Sequence, residues 1–527
     1  MTIASAEGVS RRIVLAGAGL LLTGIEPVRA AGVRRQRNRV RTLVGDFVGV
    51  CDQGVTAFRG IRYGRAPRFR APGAVGAPGK RIMADAFGPV SPQGDETYHP
   101  QSEDCLFLNI WTTEPHPAAR KPVMLYLHGG AYSNGSVTDP LNDGQRLAAR
   151  GDVVVVTVNH RLNAFGYLYL ARLDPRFADS GNCGQLDLIL ALQWVRQNIA
   201  AFGGDPERVM LFGQSGGGGK IATLMGMQAA DGLFSRAATM SGQQVTASGP
   251  INATARTRAF LTALRLRETD LDLLLAMPFE KLLEGLAATD PILGGGVYFG
   301  PVLDMKSIVR HPFWPDANPQ SLRIPMILGN TLDETRAFTR PDSPKVQGLT
   351  WDNVAERMAP DLRTDILPEW VVGQYRQQFP NWSPIDVFYA ATTAGRSWRG
   401  QVIEAEARAR AGAPAWVYQV DFTSRLDPRH GAFHTMDIPL VFGTLDAKGS
   451  ETGIGVDART ASQTMQNSFV AFAATGDPNH PGLARWPTYD LERRPTMLFD
   501  VVSGVEENPR RWQRELFARV PYIQPGT

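Results

Sequence analysis

Four short runs of the chain are apolar at almost every position: Val123-Met124-Leu125-Tyr126-Leu127, Val153 to Val158, Val209-Met210-Leu211-Phe212 and Ile324-Pro325-Met326-Ile327-Leu328. A strand that is apolar on both faces has no solvent side, so these runs predict central strands of a parallel sheet covered on both sides. Between the second and third runs, Leu186, Ile189, Leu190, Leu192, Trp194, Val195 and Ile199 recur at helical spacing, which predicts a helix lying along that sheet. Residues 42–64 behave differently. Short alternating stretches broken by Gly45, Gly49 and Gly54 predict an antiparallel edge. The expected architecture is α/β, with a mostly parallel, mixed central sheet and helices on both faces. Pro-rich stretches at 64–100 and 340–385 read as long surface excursions, and no linker divides the body, so residues 42–527 are expected to form one large domain.

Composition narrows the class. Of 527 residues, 43% are hydrophobic and 20% charged, which suits a large globular core and excludes collagen, coiled coil, a wholly disordered chain and a multi-span membrane protein. The net charge of +4 is local: residues 1–41 hold eight Arg against Glu7 and Glu26, a net +6, which leaves −2 on the rest. A broad nucleic-acid-binding surface is therefore not expected. Ser10-Arg11-Arg12 precedes an apolar stretch, Ile13 to Ile25, and Val28-Arg29-Ala30 supplies small residues for cleavage. That order is the order of an export signal, and the paired arginines resemble a bacterial twin-arginine signal. The stretch is too short, and with Gly17 and Gly19 too Gly-rich, to make a stable membrane span. Residues 1–30 are thus expected to be a signal, residues 31–41 a solvated basic linker, and the mature chain periplasmic or extracellular. Three cysteines, Cys51, Cys105 and Cys183, with no CxxC, imply a core held by packing and suggest no metal.

The strongest chemical signal is Gly213-Gln214-Ser215-Gly216-Gly217. It is a G-x-S-x-G sequence placed after an expected strand and before an apolar helical stretch, the context of a nucleophile elbow. A phosphate loop would need Gly and Ser or Thr where Gln214 and Ile221 stand, so that reading fails. His128-Gly129-Gly130-Ala131 follows the first apolar run, where the backbone donors of an oxyanion hole belong; Gly130 and Ala131 can join Gly216 there. A carboxylate is expected just after the fourth run, at Asp333-Glu334, and a histidine later still. That order leaves His430, His434 and His480. His480 reads as part of an exposed turn, and spacing alone does not choose between His430 and His434. The four-residue spacing of this pair also permits a metal site, but no Glu stands beside His430 and Gly431 is a poor helix former.

With these residues in hand, the chain resembles the type-B carboxylesterase family, which includes bacterial para-nitrobenzyl esterases and the cholinesterases. The resemblance runs from about residue 42 to residue 500. It rests on Phe58-Arg59-Gly60-Ile61, Phe87-Gly88-Pro89, Glu103-Asp104-Cys105-Leu106-Phe107-Leu108-Asn109, Asn159-His160-Arg161 with Ala164-Phe165-Gly166, Gly181-Asn182 with Gly184 and Asp187, Gln193-Trp194-Val195, Phe202-Gly203-Gly204-Asp205-Pro206 and Asp437-Ile438-Pro439-Leu440-Val441-Phe442-Gly443. The resemblance implies an α/β-hydrolase fold, Glu334 as the acid, His434 rather than His430 as the base, and Gly130, Ala131 and Gly216 as oxyanion donors. It also implies buried ion pairs Arg68–Glu103 and Arg161–Asp187, and a supporting hydrogen bond from Ser241.

Three departures stand out. Gln214 occupies a position where the family usually carries Glu, and Gly216 opens a run of four glycines where Ala is usual, a run that either leaves room beside an acyl group or is neutral. The partner that the family's first disulfide would give Cys105 is here Ser91, and the short loop lacks the Trp that cholinesterases use, so choline esters are not expected. The expected activity is hydrolysis of a small-molecule carboxylic ester by Ser215, His434 and Glu334 through an acyl-enzyme, with no cofactor, metal or nucleic acid. Alternatives are a carbamate, amide or lactone hydrolase using the same triad, and a catalytically silent binding protein on the same fold.

Overall fold

Successive side chains of a strand point to opposite faces, and that alternation divides each apolar run between two cores. In the computed structural model, which describes residues 36–94 and 96–524, Val123, Leu125 and Leu127 enter one core while Met124 and Tyr126 enter the other. Val209 and Leu211 are likewise separated from Met210 and Phe212. Runs that looked unpatterned are two interleaved period-2 faces, both buried.

The strands in chain order are β1 (Arg37–Arg41), β2 (Asp46–Asp52), β3 (Val55–Arg62), β4 (Phe107–Thr112), β5 (Lys121–Leu127), β6 (Val154–Val158), β7 (Gly204–Gln214), β8 (Arg236–Met240), β9 (Met326–Thr331), β10 (Ala415–Val420), β11 (Pro495–Phe499) and β12 (Gly504–Glu507). They lie in the order β1-β2-β3-β4-β6-β5-β7-β8-β9-β10-β11-β12, with a short strand, Arg81–Met83, beside β2. From β6 through β11 every neighbouring pair is parallel, and both ends of the sheet are antiparallel. Helices α1 (Cys183–Asn198), α2 (Gly216–Leu224) and α4 (Arg399–Arg410) contribute to the first core, and α5 (Asp437–Phe442) and α6 (Val456–Thr475) to the second. This is the mixed α/β-hydrolase sheet that the sequence predicts. Among the described residues, no helix is long and apolar enough to cross a membrane.

Two expectations need correction. The segment read as a solvated linker to residue 41 contains β1, which pairs antiparallel with β2. Its arginines hide a period-2 pattern: Arg37, Arg39 and Arg41 are exposed while Val40 is buried. Charged side chains on an edge strand also discourage further pairing. The compact body accordingly starts at Gln36, not at residue 42. The expected signal, residues 1–30, and the linker as far as Arg35 lie outside the described residues. The stretch 340–385 is more than an excursion. Val354–Met358, Pro368–Gln378 and α3 (Pro384–Thr393) are helical, and Val371, Tyr375, Val387 and Phe388 form a separate core with Leu516 and Phe517.

The Arg161–Asp187 pair ties α1 to the loop after β6. The Arg161 guanidinium contacts both Asp187 carboxylate oxygens at 2.7 and 2.8 Å, and further donates to the carbonyls of Pro67 and Arg70. Both side chains are almost wholly buried. Removing one partner leaves the other charge buried alone, so Arg161→Met should cost about 3–5 kcal/mol in urea unfolding. Adding Asp187→Leu should recover most of that loss.

Candidate active site

The parallel strands end on one side of the sheet, where open α/β sheets hold their ligands. β7 runs directly into Ser215, which adopts φ 55° and ψ −124° and starts α2. Such a conformation is sparsely populated for a residue with a side chain. It is held by the Ser215 N–H, which donates to the Met240 carbonyl at 2.7 Å. The glycines behind it make the turn possible. A Cβ on Gly216 would lie 2.0 Å from the Ala131 carbonyl oxygen, and one on Gly217 1.9 Å from that of Leu127. Gly216 and Gly217 thus let α2 press against the loop that follows β5, while Gly219 lines the cavity at Ser215.

In that loop Gly130 and Ala131 have φ of 81° and 52°. The N–H groups of Gly130, Ala131 and Gly216 meet no acceptor among the described residues and border the same cavity as Ser215. Lys220, fully buried on α2, holds the loop from below: its ammonium donates to the carbonyls of His128 at 3.1 Å and Ala131 at 2.8 Å. Burial pushes the Lys220 ammonium down to about 7. Burial, and then the charge of Lys220, push the neighbouring His128 down to about 3, so its imidazole is neutral.

Glu334 lies just past β9 with no exposed surface. One carboxylate oxygen accepts from Ser241 Oγ at 2.7 Å, the Thr331 N–H at 2.7 Å and the Asn330 amide at 3.1 Å. The other accepts from His434 Nδ1. Burial raises the Glu334 pKa, but the charge and hydrogen bond of His434, with those of Ser241 and Thr331, outweigh it and hold the group below its ordinary range. With Nδ1 donating, Nε2 of His434 is an acceptor. It lies 3.1 Å from the Gln214 amide nitrogen, which donates to it.

The geometry therefore brings together Ser215, His434, Glu334, Gly130, Ala131 and Gly216, and Ser241 makes the bond expected of it. His430 instead bonds Glu451 at 2.5 Å, and His480 sits in a turn against the Pro481 carbonyl. Both expected ion pairs, Arg68–Glu103 and Arg161–Asp187, are present. The cavity at Ser215 encloses about 510 Å³, and Tyr132, Tyr298, Phe338 and Arg396 also line it. The Phe338 ring lies 4.9 Å from that of His434. Four features escaped the sequence reading: the Gln214–His434 contact, the Lys220 prop, Phe338 and Arg396. Only Phe338 carried a local signal, standing four residues after Glu334.

A model of the Carboxylesterase family matches residues 36–516. The para-nitrobenzyl esterase of Bacillus subtilis is 34% identical over 498 residues, covering 90% of this chain and 97% of that protein. The phenmedipham hydrolase of Pseudarthrobacter oxydans is 32% identical, covering 88% and 95%. A crystal structure of a Geobacillus stearothermophilus carboxylesterase superposes with a TM-score of 0.81 at 34% identity, covering 91% of this chain and 99% of that one.

Lys220 gives this site a pH signature. Between its lowered folded pKa and the ordinary lysine value of 10.5, the unfolded chain holds a proton that the folded chain has released. The stability due to Lys220 therefore rises with pH across that window and is lost as pH falls toward 7. Urea titrations at several pH values should show the unmodified protein gaining on Lys220→Met from about pH 7 to about pH 10, by up to about 1.4 kcal/mol per pH unit. A difference independent of pH would mean that the ammonium stays charged in the folded protein.

Proposed function

The chain belongs to the carboxylesterase family and is a carboxylic ester hydrolase, and from that premise we propose that it works through a Ser215–His434–Glu334 triad and an acyl-enzyme. The observation that carries this reading is the Glu334–His434 hydrogen bond beside a cavity that also holds Ser215 and three unengaged N–H groups. Ser215 Oγ attacks the ester carbonyl carbon while His434 Nε2 takes its proton. The Gln214 amide, which engages Nε2 at rest, gives way at this step. The carbonyl oxygen becomes an oxyanion and accepts from Gly130, Ala131 and Gly216, at a helix N-terminus that favours negative charge. As the carbon–oxygen bond to the alcohol breaks, His434 returns the proton to the leaving alkoxide. Water, deprotonated by His434, then attacks the acyl carbon, and Ser215 leaves with the proton restored. Glu334 fixes the imidazole tautomer and stabilises its charged form.

Ser215→Ala should lower kcat/KM on para-nitrophenyl butyrate by about 10⁴-fold or more with an unchanged melting temperature. A fluorophosphonate should label the unmodified protein but not the variant. Turnover by the variant at the unmodified rate would overturn the triad. Export is part of the same proposal and rests on the Arg11-Arg12 pair with its apolar stretch: Lys at both positions should leave unprocessed chain in the cytoplasmic fraction. Undiminished export of that variant would refute the twin-arginine route.

A further inference from the structure

Between α3 and α4 the chain makes a π-turn, Ala394–Trp398. Isolated π-turns within helices concentrate at functional sites, and this one places Arg396 in the wall of the Ser215 cavity. The guanidinium carbon stands 4.1 Å from the centre of the Phe338 ring, whose centre is 4.9 Å from that of His434. Together these separations place it within about 9 Å of the His434 ring centre.

Several deep arginines elsewhere in the molecule are matched. Arg161 has Asp187, Arg256 has Asp290, and Arg408 donates to the carbonyls of Ser321, Ile324 and Pro414. Arg396 is not: among the described residues its guanidinium has no ion pair and no hydrogen-bond acceptor, only the Phe338 ring. The charged groups around it offer none. Glu334 is engaged by His434, Asp361 by Lys345, and the Tyr522 hydroxyl donates to the Arg396 carbonyl. Arg363 adds a second positive charge, and its own Nε is buried without an acceptor. Burial, and then the charge of Arg363, push the Arg396 guanidinium below its ordinary range. A partly desolvated cation beside another cation is unfavourable unless an anion arrives. Its planar fork of donors matches a carboxylate.

Resting on the esterase reading above, we propose that Arg396 receives a carboxylate of the substrate, so that the cavity selects half-esters of dicarboxylic acids, with a few methylenes between the scissile ester and the free acid. The ester carbonyl sits at Ser215 and the carboxylate forks onto Arg396 past the edge of Phe338.

The test compares monoethyl adipate, anionic at neutral pH, with neutral diethyl adipate, read as the ratio of their kcat/KM values. The unmodified protein should favour the half-ester. Arg396→Gln should lower the ratio about ten- to a hundredfold, the size of one hydrogen bond to a charged group, and mainly through KM. Arg396→Lys should keep part of the preference. An equal ratio in the unmodified protein and Arg396→Gln would overturn the proposal while leaving the triad intact. A second arm needs no turnover: in calorimetry, adipate should bind Ser215→Ala and fail to bind Ser215→Ala/Arg396→Gln. That arm judges the anion site even if the triad assignment fails. Removing an unpaired cation should also leave the melting temperature of Arg396→Gln equal or higher. A marked fall, with both esters equally affected, would assign Arg396 a structural role and refute the proposal.

Discussion

Beneath Ser215, three stretches of backbone approach until only hydrogen atoms fit between them. The missing side chains of Gly216 and Gly217 would overlap the carbonyls of Ala131 and Leu127 at 2.0 and 1.9 Å, so the end of β5, the loop after it and the start of α2 are held at one mutual distance. Everything chemical about the site follows from that contact. It turns the Ser215 side chain out of the sheet, brings the first N–H of α2 beside those of Gly130 and Ala131, and lets Lys220 reach the back of the loop. The unfavourable φ/ψ of Ser215 persists because the surrounding structure over-determines it: β7 is clamped between β5 and β8, and the Ser215 N–H is committed to Met240.

Charge around this backbone is unevenly paired. The Glu334 carboxylate takes four donors and directs its negative charge to His434. Lys220 and Arg396 have no carboxylate partner, and each lies next to the cavity or its loop. A cavity bordered by unengaged N–H groups, a helix N-terminus and the Arg396 guanidinium favours any species carrying negative charge there. It favours the oxyanion of an acyl transfer and, in the proposed recognition, a carboxylate carried by the substrate itself. The family's usual glutamate ahead of the serine would weaken that bias; Gln214 keeps the position neutral and offers a donor to His434 instead.

How much of this was legible depended on whether a signal was local. The central strands could be read because burial on both faces demands unbroken apolar runs, and the elbow because a strand, a small-residue turn and a helix are contiguous. The expected acid could be narrowed only to Asp333 or Glu334, and the expected base to a few histidines, because a triad is assembled in space; the choice of Glu334 and His434 came from the family resemblance. β1 was missed because its outward arginines outweighed the single buried Val40 in a reading by composition. The helices of 340–385 were missed because their prolines were read as breaks, although Pro368 and Pro384 stand in first turns, where the missing N–H costs nothing. Arg396 had no legible signal at all. In sequence it is one more arginine on a helix, and only the π-turn and the absence of an acceptor distinguish it.

The same features bear on why the site tolerates so much that is unfavourable. The strained Ser215 backbone, the buried Lys220 and the unpaired Arg396 each cost stability, and a small core could not sustain them. Here the cost is distributed over a sheet buried on both faces, where two continuous cores absorb alternate residues of every central strand and contribute in proportion to apolar area. The buried ion pairs complete the frame from the other direction: Arg161–Asp187 fixes the chain immediately before Asn163, whose N–H and side-chain amide grip the Tyr132 and Ser133 carbonyls. The loop bearing Gly130 and Ala131 is thus braced from one side by a fully paired charge and from below by the hydrogen bonds of Lys220. Arg396 stands in the wall of the Ser215 cavity without an acceptor and not in this brace, and that placement is the argument for the recognition proposed for it.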